Sequence, residues 1–218
     1  EPVQWAVDQA LAERPERVSI SLEGRTVQIR AWQRDVTGPD GFIVPVFFLD
    51  TDVDGNDEQD RRWTHSLYGG DGRYRLCQEA VLGIGGVRML RALGAKEIRR
   101  FHMNEGHASL LTLELLEEHQ RWEGRQTGTP DDVDAVTEQC VFTTHTPVPA
   151  GHDQFALDLA TAVLGAHPAF QALPDVFNDN GQLNMTHLAL GLSGYINGVA
   201  KKHGEVSRRM FERPEIDW

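Results

Sequence analysis

Apolar and polar positions alternate with a period of two on both sides of Gly24: Val18, Ile20 and Leu22 against Ser19 and Ser21, then Val27 and Ile29 against Gln28 and Arg30. That pattern around a turn residue predicts a β-hairpin. Before it, Trp5, Val7 and Leu11 are spaced as anchors of a short helix over 1–16. The apolar run 42–49 is a second β signal, and Pro45 inside it predicts an edge strand or a bulge. The period then changes. Leu76, Ala80, Val87 and Leu90 follow a 3.6-residue repeat and predict a helix over 75–93, with Gly94 as its C-cap. Gly83, Gly85 and Gly86 lie inside it. No strand precedes them, so they predict close helix packing rather than a phosphate-binding loop.

The second half alternates short strands with helices. A strand is expected at 98–103 and a helix at 108–118, with Asn104 as N-cap. The polar stretch 120–134 reads as a surface connection with a short helical turn at 131–134. A strand at 140–143 and a helix at 155–164 follow. The spacing of Leu188, Leu192, Ile196 and Val199 predicts a long last helix, with Lys201 and Lys202 at its C-terminal end. Gly191, Ser193, Gly194 and Gly198 predict another backbone packed closely against it. The fold class expected is α/β.

Two of these strands end alike. The first runs into Asn104-Glu105-Gly106-His107 and the second into Thr144-His145-Thr146-Pro147. In open α/β sheets ligands sit beyond the carboxyl ends of strands, so two polar strand ends predict a shared cleft. Taken singly, each has a plainer reading: Glu105 complements a helix dipole, and His145 is a buried histidine with its bonds satisfied.

Charge narrows the function. The net charge of −12 on 218 residues argues against a nucleic-acid partner. No apolar run reaches a membrane span's length, and no signal peptide is visible, so a soluble, cytoplasmic protein is expected. Glu1 stands where an initiator Met would, so the native start is expected elsewhere. Cys77 and Cys140 are isolated and have neither disulfide nor metal spacing. Asp50, Asp52, Asp54 and Gly55 imitate the start of a calcium loop. The position that needs a bidentate glutamate holds Arg61, and a β run precedes the loop, so a solvated acidic loop is expected. His102 and His107 do not form a zinc-helix pattern, and no metal site is expected.

Taken together, the short runs Leu67-Tyr68-Gly69-Gly70-Asp71, Arg75-Leu76-Cys77-Gln78-Glu79, Asn104-Glu105-Gly106-His107, Thr144 to His152, Asn184 to Leu190, Asn197-Gly198-Val199-Ala200 and His203 to Ser207 resemble the α-glucan (glycogen/maltodextrin) phosphorylase family. The likeness is to its bacterial branch of short, divergent sequences. It covers 47–211, and the first 40 or so residues carry little of it. The resemblance implies a GT-B glycosyltransferase with two Rossmann-like domains facing a cleft. Residues 1–218 would be part of the N-terminal domain. The implied reaction transfers a terminal α-1,4-linked glucose to inorganic phosphate, giving glucose 1-phosphate with retention. Pyridoxal phosphate assists it, held by a lysine of a C-terminal domain absent from this chain. By the same resemblance His145 is catalytic, its main-chain carbonyl stabilising positive charge at the anomeric carbon. Asp71 (on a gate loop at 68–72), Glu105, His107 and Thr144 are implied to line the glucan site. The fragment alone is expected to be inactive, and homo-oligomerisation is left open. A glycogen synthase-like transferase using a sugar nucleotide, and a non-catalytic carbohydrate-binding module, are the alternatives.

Overall fold

The computed structural model describes residues 7–67, 69–125, 128–146, 148, 152–167, 169–170 and 173–218. Three strands, β1 (Ala12–Leu22), β2 (Arg25–Thr37) and β3 (Ile43–Asp50), form an antiparallel meander. The hairpin is as predicted: Val18 pairs with Ile29 and Ile20 with Val27, and Ile20, Leu22, Val27 and Ile29 all point into the core. Pro45 lies on β3, which pairs only with β2 among the described residues and is therefore an edge. The expected helix over 1–16 is corrected. Residues 1–6, with Trp5, lie outside the described residues. Val7–Ala10 form one helical turn, and β1 already runs from Ala12. Pairing with the long β2 overrides the local helical spacing, and the register shifts between Glu13 and Arg17, where Pro15 cannot join the ladder.

The next helix is continuous but not uniform. The α-helical part α1 (Gly72–Ala80) leads through a π-helical turn (Val81–Gly85) into α2 (Gly86–Ala92). The glycines explain the turn. A Cβ on Gly83 would lie 2.6 Å from the Leu111 nitrogen, and one on Gly85 would lie 2.5 Å from Ile29 Cδ1. The helix is pressed between the meander and the next helix, where there is no room for a side chain. Gly86 has space, with Leu49 Cδ1 at 3.8 Å. Thermal unfolding is expected to show Gly83→Ala destabilising by about 2–3 kcal/mol through overpacking against backbone. Gly86→Ala is expected to be neutral or slightly stabilising. Equal effects would contradict the packing argument.

A parallel sheet follows, in the order β4 (Phe101–Asn104), β5 (Cys140–Thr144), β8 (Tyr195–Gly198). The helices α3 (Leu111–Trp122) and α4 (Pro130–Gln139) connect β4 to β5. Between β5 and β8 come a small antiparallel pair, β6 (Gln154–Ala156) with β7 (Gln182–Asn184), and the helices α5 (Leu157–Leu164) and α6 (Met185–Gly191). Helix α7 (Lys201–Met210) is followed by a tail whose Asp217 bridges to Asn197 on β8. One hydrophobic core joins the meander, α1–α2 and the parallel sheet, with Leu76, Leu110, Met103 and Phe142 fully buried in it. The α/β class is borne out.

Several boundaries differ from expectation. The predicted last helix stops at Gly191, and Ile196 is a core residue of β8 instead. The turn is made at Gly194, whose N–H donates to Thr137 O (2.8 Å) and Cys140 O (3.1 Å). A Cβ there would sit 2.9 Å from Thr137 O, so the predicted close backbone approach is real although the helix is not. Lys201 and Lys202 accordingly begin α7 rather than end its predecessor. Asn104 is the last residue of β4, not an N-cap; α3 starts at Leu111 after a 3-10 turn over Gly106–Ala108. The turn expected at 131–134 is the start of α4, fixed by a Thr129–Asp132 capping box. Phe155 and Ala156, predicted helical, belong to β6.

Candidate functional site

Parallel pairing puts the ends of β4 and β5 side by side: Asn104 faces Thr143, and the Glu105 N–H donates to Thr143 O at 2.9 Å. A polar chain crosses the sheet just before these ends. Thr143 Oγ1 donates to Asn197 Oδ1 (2.8 Å) and lies 2.7 Å from His102 Nε2, which must then carry the proton.

Glu105 is the hinge of the site. It is 7% exposed, with φ 67° and ψ 172°, a backbone conformation that favours glycine. Its carboxylate accepts from Gly106 N–H (3.2 Å) and, across the strand gap, from His145 N–H (2.8 Å). The two strand ends are thus joined by one side chain. The His145 ring itself is exposed and, among the described residues, makes no hydrogen bond. Among the described residues the His145 carbonyl accepts none either, whereas the next carbonyl, Thr146 O, lies 2.9 Å from His152 Nε2. His152 in turn stacks on Phe211. The peptide carrying the His145 carbonyl is held between two anchored neighbours.

Thr144 is fully buried, and its hydroxyl has no partner among the described residues. Asp71 is exposed and caps α1, accepting from Tyr74 N–H at 2.9 Å. It lines a cavity with Arg62 and Arg73 that does not include His107. Tyr68, at the start of the predicted gate loop, lies outside the described residues. The structure therefore unites Glu105 with His145, and leaves Asp71 in a different cavity from His107.

His107 belongs to a cluster that the sequence reading did not assign. Its Nδ1 lies 3.0 Å from Asp153 Oδ2, 3.4 Å from Glu79 Oε1 and 3.3 Å from an Arg75 terminal nitrogen. Arg75 also pairs with Asp153 and with Glu79. Glu79, His107 and Asp153 could gather around a metal ion, but the Arg75 guanidinium bonds or closely approaches all three and supplies the cation there. The acidic loop at 50–61 is likewise served by its own chain: Asp52 binds Arg61 at 2.5 Å, and Asp50 accepts from Arg30 and Trp32. The signal for the cluster was present in Arg75 and Glu79, one helical turn apart beside the core residues Leu76 and Ala80. Charges at such positions need partners.

Burial pushes the Glu79 carboxyl up to about 8, its neighbour Asp153 adding to the rise. Hydrogen bonds to Asp153 and then Glu79 raise His107 to about 9. Burial works against ionised Asp153, but hydrogen bonds from His107, Glu79 and Arg75 outweigh it and hold its carboxyl well below the usual range. Glu79 and His107 both bind protons more tightly folded than unfolded. Their stabilisation is full below the ordinary values, 4.5 and 6.5, and is lost as pH rises through the folded values. The melting temperature is expected to fall between pH 6 and pH 9, less steeply in Glu79→Gln. A wild-type melting temperature flat over that range would contradict this assignment.

Lys96, Lys201 and Lys202 are the chain's lysines; all are exposed. Lys202 pairs with Glu205, and Lys201 sits over the Trp218 ring. None is placed to hold pyridoxal phosphate as an imine in a cavity, so these residues do not fit that group.

No protein-family profile matches the chain. Individual proteins do. It is 37% identical over 215 residues to a glycogen phosphorylase of Mycobacterium tuberculosis, covering 90% of this chain and 24% of that protein. It is 35% identical over 203 residues to a maltodextrin phosphorylase of Thermococcus litoralis, covering 91% of this chain and 23% of that one. A glycogen phosphorylase of Aquifex aeolicus is 29% identical over 187 residues. The chain spans about a quarter of the length of these curated relatives.

Proposed function

We propose, from a chain that matches one segment of the glycogen and maltodextrin phosphorylases along nine tenths of its length, that it is part of the N-terminal, Rossmann-like domain of an α-glucan phosphorylase with GT-B architecture. The full-length parent transfers a terminal α-1,4-linked glucose to inorganic phosphate and releases glucose 1-phosphate in the cytoplasm. Pyridoxal phosphate belongs to the part of the parent outside this segment. The observation that carries the reading is the join at the strand ends, where the Glu105 carboxylate holds the His145 N–H at 2.8 Å and the His145 ring and carbonyl make no hydrogen bond among the described residues.

That arrangement suits a reaction whose transition state carries positive charge at a sugar carbon. A carbonyl dipole fixed before the substrate arrives needs no reorganisation when the charge develops. Glu105 supplies positioning, buried and with each carboxylate oxygen accepting from a backbone N–H. His107, tied to Asp153, fastens the segment that follows His145 to α1. In the parent, His145→Ala keeps the main-chain carbonyl and removes the ring beside it, so a fall in kcat larger than the rise in KM is expected from the ring's contact with the glucosyl unit in the transition state. Steady-state phosphorolysis checks this, and an unchanged kcat would remove the His145 ring, though not its carbonyl, from the catalytic group. The isolated 218 residues should release no glucose 1-phosphate.

A further inference from the structure

Two fastenings flank the His145 carbonyl. Before it, the His145 N–H donates to Glu105 at 2.8 Å; after it, Thr146 O lies 2.9 Å from His152 Nε2. The peptide between them, His145 C=O with Thr146 N–H, makes no hydrogen bond among the described residues. Its direction is set by the bonds on either side. A carbonyl only accepts, so Nε2 of His152 carries a proton and donates.

The His152 ring is itself held. It stacks on Phe211, with ring centroids 5.3 Å apart and planes 30° from parallel. Phe211 is the C-cap of α7, and the His187 ring meets it edge-on at 6.1 Å and 80°. His187 lies in the first turn of α6, 2.8 Å from Asp179. The residue after His152 is fixed as well: Asp153 pairs with Arg75, and its carbonyl accepts from Met185 N–H at 3.0 Å. His152 thus reaches back six positions, from an anchored backbone and a packed ring, to the segment that leaves β5.

We propose that His152 is a positioning residue: its Nε2–H fixes the Thr146 carbonyl and so aims the His145 carbonyl at the reacting sugar carbon, while Phe211 holds the ring in place. This rests on the reading of the chain as part of an α-glucan phosphorylase. His145→Ala leaves the main-chain carbonyl where it is, so His152 is the side chain through which the carbonyl's direction can be tested.

Two substitutions separate the donor from the stack. His152→Gln keeps an N–H donor near the reach of Nε2 and loses the ring. His152→Phe keeps a ring against Phe211 and loses the donor. A misplacement of about 1 Å can cost about 100-fold in rate. In steady-state phosphorolysis by the full-length, cofactor-loaded parent, His152→Phe should lower kcat by about 10-fold or more and change KM by less than about twofold. His152→Gln should keep kcat within about threefold of wild type. Thermal unfolding should rank the pair the other way, with His152→Phe the more stable because its aromatic contact survives. Wild-type kcat in His152→Phe, or a kcat that follows the melting temperature across both variants, would overturn the proposal. So would a His152→Gln enzyme as slow as His152→Phe, which would assign the effect to the ring and not to its N–H. A parent that performs no phosphorolysis would defeat the underlying reading together with this one; an active parent unaffected by His152→Phe would defeat this one alone.

Discussion

Glu105→Ala in the parent should abolish measurable turnover and cost about 3 kcal/mol of stability. The side chain is buried and accepts from two backbone N–H groups, His145 and Gly106. Hydrogen bonds to a charged group contribute about 1.5–3 kcal/mol each, and removing the acceptor also leaves buried donors unpaired. Glutamate tolerates φ 67° here because those bonds offset a backbone strain of about 1–3 kcal/mol. That gives a control which separates stability from positioning. Glu105→Gly relieves the strain, so it should be more stable than Glu105→Ala by about 1 kcal/mol, yet equally inactive. Thermal unfolding read alongside phosphorolysis distinguishes the two effects. If Glu105→Gly kept wild-type kcat, the bridge to His145 would have no part in the reaction.

Asp132→Ala should be the most damaging substitution for the fold, with a loss of about 3–5 kcal/mol. Asp132 is fully buried at the start of α4. It accepts from Thr129 N–H (2.8 Å) and Thr129 Oγ1 (2.9 Å), lies 2.6 Å from His119 Nδ1, and pairs with Arg125. Burial alone would raise its pKa; the bonds from His119, Thr129 and Arg125 outweigh that and lower it to about 2. A depressed folded value means its stabilisation is present above the ordinary 3.8 and is lost as pH falls through about 2. The substitution strands one cationic side chain, one histidine and a helix cap together. It also acts on the site, because α4 leads directly into β5 and His145 follows the last residue of β5. Denaturant unfolding measures the loss; a change below about 1 kcal/mol would mean the network is not formed.

Much of the site was readable because its signals are local. The hairpin around Gly24 and the strand before His145 rest on short-range alternation, and both formed where expected. That the strand ends at 104–105 and 143–145 lie side by side followed from the α/β pattern. What Glu105 does with its carboxylate was not readable. The bond to His145 spans 40 positions, and its partner is a backbone N–H that carries no sequence signature. The role of Asp153 was hidden for the same reason, its partners Arg75 and His107 lying on other elements. The misread last helix shows the opposite failure. Leu188, Leu192 and Ile196 keep helical spacing, but the bonds from Gly194 to Thr137 and Cys140 turn the chain into the sheet. Tertiary contacts there override a local period.

Whether this strand-end pair belongs to a glucan phosphorylase is decided by following the full-length parent with maltodextrin and inorganic phosphate by phosphorus NMR. A glucose 1-phosphate resonance should grow at the expense of inorganic phosphate, and it should be lost in Glu105→Ala and greatly slowed in His145→Ala. No phosphate consumption by a folded, cofactor-loaded parent, or glucan extension driven by a sugar nucleotide instead, would contradict it.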